Sequence, residues 1–85
     1  MADARTDRPA LLLCPGLLND ARVFVPQLAA LGARVDSRVA DLASSESLAE
    51  MAEAALAQAP PRFALLGFSM GGYVAFEILR RAPER

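Results

Sequence analysis

Residues 67–71 read Gly67-Phe68-Ser69-Met70-Gly71, a Gly-x-Ser-x-Gly string. A serine hydroxyl is a weak nucleophile until a base takes its proton, and it must stand clear of the chain to meet a carbonyl. The string meets the second need when it joins a buried strand to a helix. The turn is then so tight that the serine takes a strained backbone, and glycine is required where a flanking side chain would collide. Phe63-Ala64-Leu65-Leu66 precedes the string as a continuous apolar run, and a helical segment follows from Met70. The positive end of that helix favours negative charge developing beside Ser69. In a plainer reading, Ser69 only caps the helix and the glycines only turn the chain. A cap needs Ser69 alone and leaves Gly67, Gly71 and Gly72 without a task.

Acyl transfer also needs two N–H donors aimed at the carbonyl oxygen as it becomes an anion. Met70, directly after the serine, is the candidate for one. The other is Leu17, in the Pro15-Gly16-Leu17-Leu18 turn that closes an earlier apolar run, with Gly16 as the turning residue. The alternative for Pro-Gly is an ordinary strand-ending turn. For both donors to serve one oxygen, the first and third strands must be neighbours, with the second on the far side of the first. That order leaves a crevice at the switch point, where ligands bind.

The elements that position these residues follow from the pattern. Ala10 to Cys14 is uninterrupted and apolar between Pro9 and Pro15, the length of a strand buried on both faces. Asn19-Asp20 is a turn and cap signal, Pro26 suits a first helical turn, and Gly32 stops that helix after Leu28, Ala29 and Leu31. Arg34 to Leu42 reads as a weaker strand. Ser47 and Glu50 form a capping box, after which Leu48, Met51, Ala52, Ala55, Leu56 and Ala59 make one apolar stripe up to Pro60-Pro61. A last helix runs from Met70 to about Ala82, with Arg80 and Arg81 at its negative end and Pro83 beyond. Strand and helix alternate three times. The expected fold is therefore α/β, a partial doubly wound parallel sheet of three βα units with right-handed crossovers. A small helical protein with two apolar loops is the competing reading.

Composition narrows the function. The 85 residues carry nine Arg, no Lys, no His and ten acidic groups, for a net charge of −1. Nucleic-acid binding needs clustered positive charge, so none is expected. The longest apolar stretch, Pro9 to Cys14, falls far short of the ~20 residues of a membrane span. One cysteine makes no internal disulfide, and a cytoplasmic chain is expected. A mean hydropathy of +0.27 is high for this length and suggests surfaces meant to be covered. Cys14 reads as a small buried group, Asp41 as a partner of local backbone, and Met51 and Met70 as apolar groups rather than metal ligands. Tyr73 and Phe76 are expected to pack on the sheet.

Leu11-Leu12-Leu13-Cys14-Pro15-Gly16-Leu17, together with Phe63-Ala64-Leu65-Leu66-Gly67-Phe68-Ser69-Met70-Gly71-Gly72, resembles the amino-terminal half of an α/β-hydrolase fold enzyme. The likeness is to esterase-like and enol-lactonase-like members and runs from about Ala10 to Arg85. Phe24, Gln27 and Leu28 resemble the first-helix segment of that group, and Asp41-Leu42 the end of its next strand. The resemblance implies a serine hydrolase of small ester, thioester or lactone substrates, with Ser69 as nucleophile, no cofactor and no metal. Acyl transfer by the same fold is an alternative. Pro15-Gly16 stands where the family often has His-Gly, and Ala43-Ser44-Ser45-Glu46 where it often has Gly-His-Gly-x-Ser, which bears on substrate range. The family's chain order is Ser, acid, His. No histidine is present, and only Glu77 and Glu84 follow Ser69 as acids. Residues 1–85 are therefore expected to be the amino-terminal part of one α/β-hydrolase domain, inactive alone, or else a non-catalytic, partner-dependent remnant.

Overall fold

The structure, a computed structural model, describes residues 8–17 and 20–85. Asp3, Arg5, Asp7, Leu18 and Asn19 lie outside the described residues. Strand β1 (Ala10–Cys14) is the middle of a three-stranded parallel sheet, with β2 (Asp36–Val39) on one side and β3 (Ala64–Gly67) on the other. A continuous apolar run belongs in that central position, because a middle strand of a parallel sheet is covered on both faces. Leu12, Leu13 and Cys14 are all fully buried. Two bonds extend the β1–β2 ladder at its ends, the Asp36 N–H to the Pro9 carbonyl and the Ala40 N–H to the Leu13 carbonyl, each 2.9 Å.

Three helices complete the βα units: α1 (Val25–Leu31), α2 (Leu48–Gln58) and α3 (Met70–Arg81). A 3₁₀ turn, Ala21–Phe24, leads into α1. It is capped by Asp20, whose side chain accepts from the Arg22 N–H. Gly32, at φ 54°, ends α1, a backbone angle that favours glycine. Helix α2 starts on Ser47, whose hydroxyl accepts the Glu50 N–H at 3.1 Å. The reciprocal half of the capping box is displaced by one residue: the Glu50 carboxylate accepts from the Glu46 N–H at 2.9 Å instead of from Ser47.

Side chains alternate across a strand, so Leu12 and Cys14 face one way and Leu13 the other. Leu12 and Cys14 share a core with Ala40, Leu42, Ala52, Ala55, Val74 and Ile78, which places α2 and α3 on that face. Leu13 lies outside this cluster and is still fully buried, as is Phe24, so the opposite face is covered as well. In α3 the inward stripe is Gly71, Val74, Ile78 and then Ala82. Small and medium side chains occupy it because the helix start comes within contact of the end of β1. The expectation that Tyr73 and Phe76 pack on the sheet is overturned. They are 64% and 69% exposed, and Phe76 is turned about 200° from Val74 at 100° per residue. With Leu79 they leave an apolar face of α3 open. The outer edge of β3 has no partner strand among the described residues. Arg81 reaches across to Glu53 at 3.1 Å and joins α3 to α2.

Candidate active site

Ser69 stands between β3 and α3 with φ 56° and ψ −119°, the only non-glycine residue among those described with a positive φ. Such a conformation costs on the order of 1–3 kcal/mol and persists only where its surroundings enforce it. The enforcement is visible. The Gly71 N–H donates to the Phe68 carbonyl at 2.8 Å and the Gly72 N–H to the Ser69 carbonyl at 2.9 Å, which winds the helix start tightly behind the serine. The Ser69 side chain makes no capping hydrogen bond, and the residue is exposed. Its hydroxyl is therefore not spent on the helix.

Two glycines make this turn possible. A Cβ on Gly67 would meet the Gly71 carbonyl oxygen and lie 2.7 Å from the Gly72 Cα. One on Gly71 would collide with the Cys14 carbonyl oxygen and lie 2.7 Å from the Pro15 oxygen. Gly72, grouped with them on sequence grounds, is different: a Cβ there would meet nothing within 4 Å. The turn does not require it.

The ends of β1 and β3 are level, since Cys14 pairs with Gly67 in the register. The turn after β1 therefore stands directly beside the serine. Pro15 and Gly16 in it are buried, and Leu17 is exposed. Met70 is the first residue of α3, so its N–H has no acceptor within the helix. A cavity of about 540 Å³ opens between this turn, the end of β2 and the start of α2. Leu17 and Met70 are both in its wall, whereas Ser69 is not.

The far wall of the cavity is held by two devices. The Asp41 N–H donates to Gln58 Oε1 at 2.8 Å, and Gln58 Nε2 donates back to the Asp41 carbonyl at 2.9 Å. Asp41 Oδ1 in turn accepts from the Ala43 N–H at 3.2 Å, the local backbone partner expected of it. Nothing in the pattern around Gln58 marked it, because its partner lies 17 residues away. Cys14 is wholly buried, and burial pushes its thiol up to about 11. Glu77 pairs with Arg80 at 2.8 Å and with Arg81, which hold its carboxyl below the usual range, so it serves the surface of α3. Among the described residues no group of three or more His, Cys, Asp or Glu could hold a metal ion. No helix among them is long and apolar enough to cross a membrane.

A parallel sheet ordered β2-β1-β3 with crossover helices on its faces, and a serine raised on a strained strand-to-helix turn, define a protein of the α/β-hydrolase class. Within that class the chain belongs to the thioesterase domain family, whose model matches residues 18–85. It is 39% identical over 83 residues to the pimeloyl-[acyl-carrier protein] methyl ester esterase of Pectobacterium carotovorum subsp. carotovorum (strain PC1). The alignment covers 88% of this chain and 32% of that relative, so the chain spans about a third of that relative's length. No solved structure matches the chain.

Proposed function

We propose that this chain carries the nucleophile and the oxyanion-binding backbone of a serine hydrolase of small esters or thioesters. The observation that carries the reading is the positive φ of Ser69 together with its unspent hydroxyl. Ser69 Oγ attacks the acyl carbonyl and its proton passes to a base. The Met70 and Leu17 N–H groups stabilise the resulting oxyanion, and the alcohol or thiol leaves. Water then releases the acid from the acyl-enzyme. The register that levels β1 with β3, the vacant N–H at the start of α3 and the name of the esterase relative all support this. Transfer to an acceptor other than water uses the same intermediate.

The base is not among these residues, which include no histidine. In our reading the triad histidine and its acid belong to further chain in the same domain, which accounts both for the open apolar face of α3 and for the unpartnered edge of β3. The same features favour a second reading, a remnant that folds only against a partner. A cytoplasmic setting fits the single buried thiol.

The test uses the complete chain as its gene encodes it. Ser69→Ala is expected to abolish turnover of a short-chain aryl ester and labelling by a fluorophosphonate while far-UV circular dichroism is kept. Unchanged hydrolysis by that variant would overturn the assignment.

A further inference from the structure

The residue before the serine is a phenylalanine whose direction the sheet fixes. Side chains alternate along a strand. In β3, Leu65 packs against the core shared with α2 and α3. Gly67, two residues on, faces the same way, since a Cβ there would run into the start of α3. Phe68 therefore points to the other side, away from α3. Its N–H extends the β1–β3 ladder by donating to the Cys14 carbonyl at 3.0 Å, so the alternation still holds at this position. Its carbonyl accepts from the Gly71 N–H at 2.8 Å. With both backbone groups bonded, the base of the ring is anchored to β1 and to α3 at once.

This placement leaves Phe68 45% exposed. Tyr73, Phe76 and Leu79 are also exposed, but they lie along α3, whereas Phe68 belongs to the turn that carries the nucleophile. Its Cα is one peptide, about 3.8 Å, from that of Ser69. Phe68 does not line the cavity bordered by Leu17 and Met70, so the ring stands apart from the proposed oxyanion donors. A carbonyl carbon joined to Ser69 Oγ turns its oxygen to those donors. Its two remaining substituents, the acyl group and the leaving group, must lie elsewhere around the serine.

We infer that Phe68 is a specificity-determining residue, its ring packing against one of these two substituents and favouring a flat, apolar one. The inference rests on Ser69 being the nucleophile. An aromatic ring held by the backbone covers such a group without losing freedom of its own on binding, and aromatic pairs gain beyond the area they bury. The acyl group and the leaving group are separated by experiment. In the complete chain, kcat/KM is measured for two pairs of esters. One pair keeps p-nitrophenol as leaving group and compares benzoate with acetate. The other keeps acetate and compares the phenyl with the hexafluoroisopropyl ester. Ser69→Ala serves as the blank.

Phe68→Ala is expected to lower the aromatic-to-aliphatic ratio about tenfold in one pair. A loss in the first pair assigns the ring to the acyl group, and a loss in the second assigns it to the leaving group. Phe68→Tyr restores the parent ratio. Phe68→Leu keeps an apolar side chain of similar bulk and reads the same loss in smaller measure, including where the alanine variant does not fold. A ratio unchanged in both pairs, with or without a fall in melting temperature, overturns the inference, because the ring then only packs within the fold. An equal loss for all the esters overturns it too, since that reports a displaced Ser69. Turnover that survives in Ser69→Ala overturns the nucleophile and this inference with it.

Discussion

The Phe68 N–H donates to the Cys14 carbonyl at 3.0 Å, bonding the residue before the serine to the last residue of β1. Gly71 presses on that same carbonyl from the start of α3. The two turns at the ends of β1 and β3 are thus built around one peptide group. Their relative position follows from backbone contacts rather than from side chains that could be exchanged at little cost.

Gly71→Ala and Gly72→Ala are therefore expected to behave oppositely. A methyl at Gly71 has no space against Cys14 and Pro15 and is expected to destabilise the complete chain by about 1–3 kcal/mol or more. A methyl at Gly72 meets open space and raises helix propensity, for a gain of up to about 1 kcal/mol. Urea unfolding midpoints of the two variants decide between this and a general glycine requirement.

Replacing Ser69 by glycine separates stability from activity. Glycine accepts φ 56° without the strain serine bears, so the variant is expected to gain about 1 kcal/mol, less the entropy it adds to the unfolded chain. Turnover is lost with the hydroxyl. A variant that is less stable than the parent would show that the backbone there is not strained.

Arg85 clamps the end of α2. Its guanidinium donates to the carbonyls of Pro60 and Pro61 at 2.8 and 3.1 Å, with longer bonds to Ala59 and Leu56, and lies 5.4 Å from the centre of the Phe63 ring. Arg85→Ala is expected to cost about 1–2 kcal/mol, since it leaves partly buried carbonyls without donors. Arg85→Lys should recover little, because an ammonium cannot span several carbonyls as a planar fork does. Thermal melts of both variants test the point.

Alkaline pH should weaken the fold through Cys14. Its pKa is raised by burial from the ordinary thiol value of 9.0 to about 11, so the unfolded chain loses that proton first. The stabilisation is complete below about pH 9 and is lost as pH rises towards about 11. In Cys14→Ala the decline over that window should be shallower. At pH 8 a disulfide reagent such as dithionitrobenzoate should react with Cys14 only after denaturant is added.

The amino-acid sequence by itself determined the elements and the tight turn that carries Ser69. The Ser47 cap, the Gly32 stop and the fit of Gly67 against Gly71 and Gly72 act through residues within about one turn of each other, so their consequences are local and readable. The expected strand order, with β1 between β2 and β3, is also the one observed. Tertiary structure decided the rest. Whether Tyr73 and Phe76 face the sheet depends on the rotation of α3 about its axis, which is set by how closely Gly71 approaches Cys14, 57 positions away in the chain. Gly72 became dispensable by that same rotation. The grip of Gln58 on Asp41, the hold of Arg85 on the end of α2 and the cavity walled by Val39, Met51 and Met70 join parts of the chain that no periodicity relates. Distances across a packed fold come from the sum of all its contacts, and only the folded chain carries that sum.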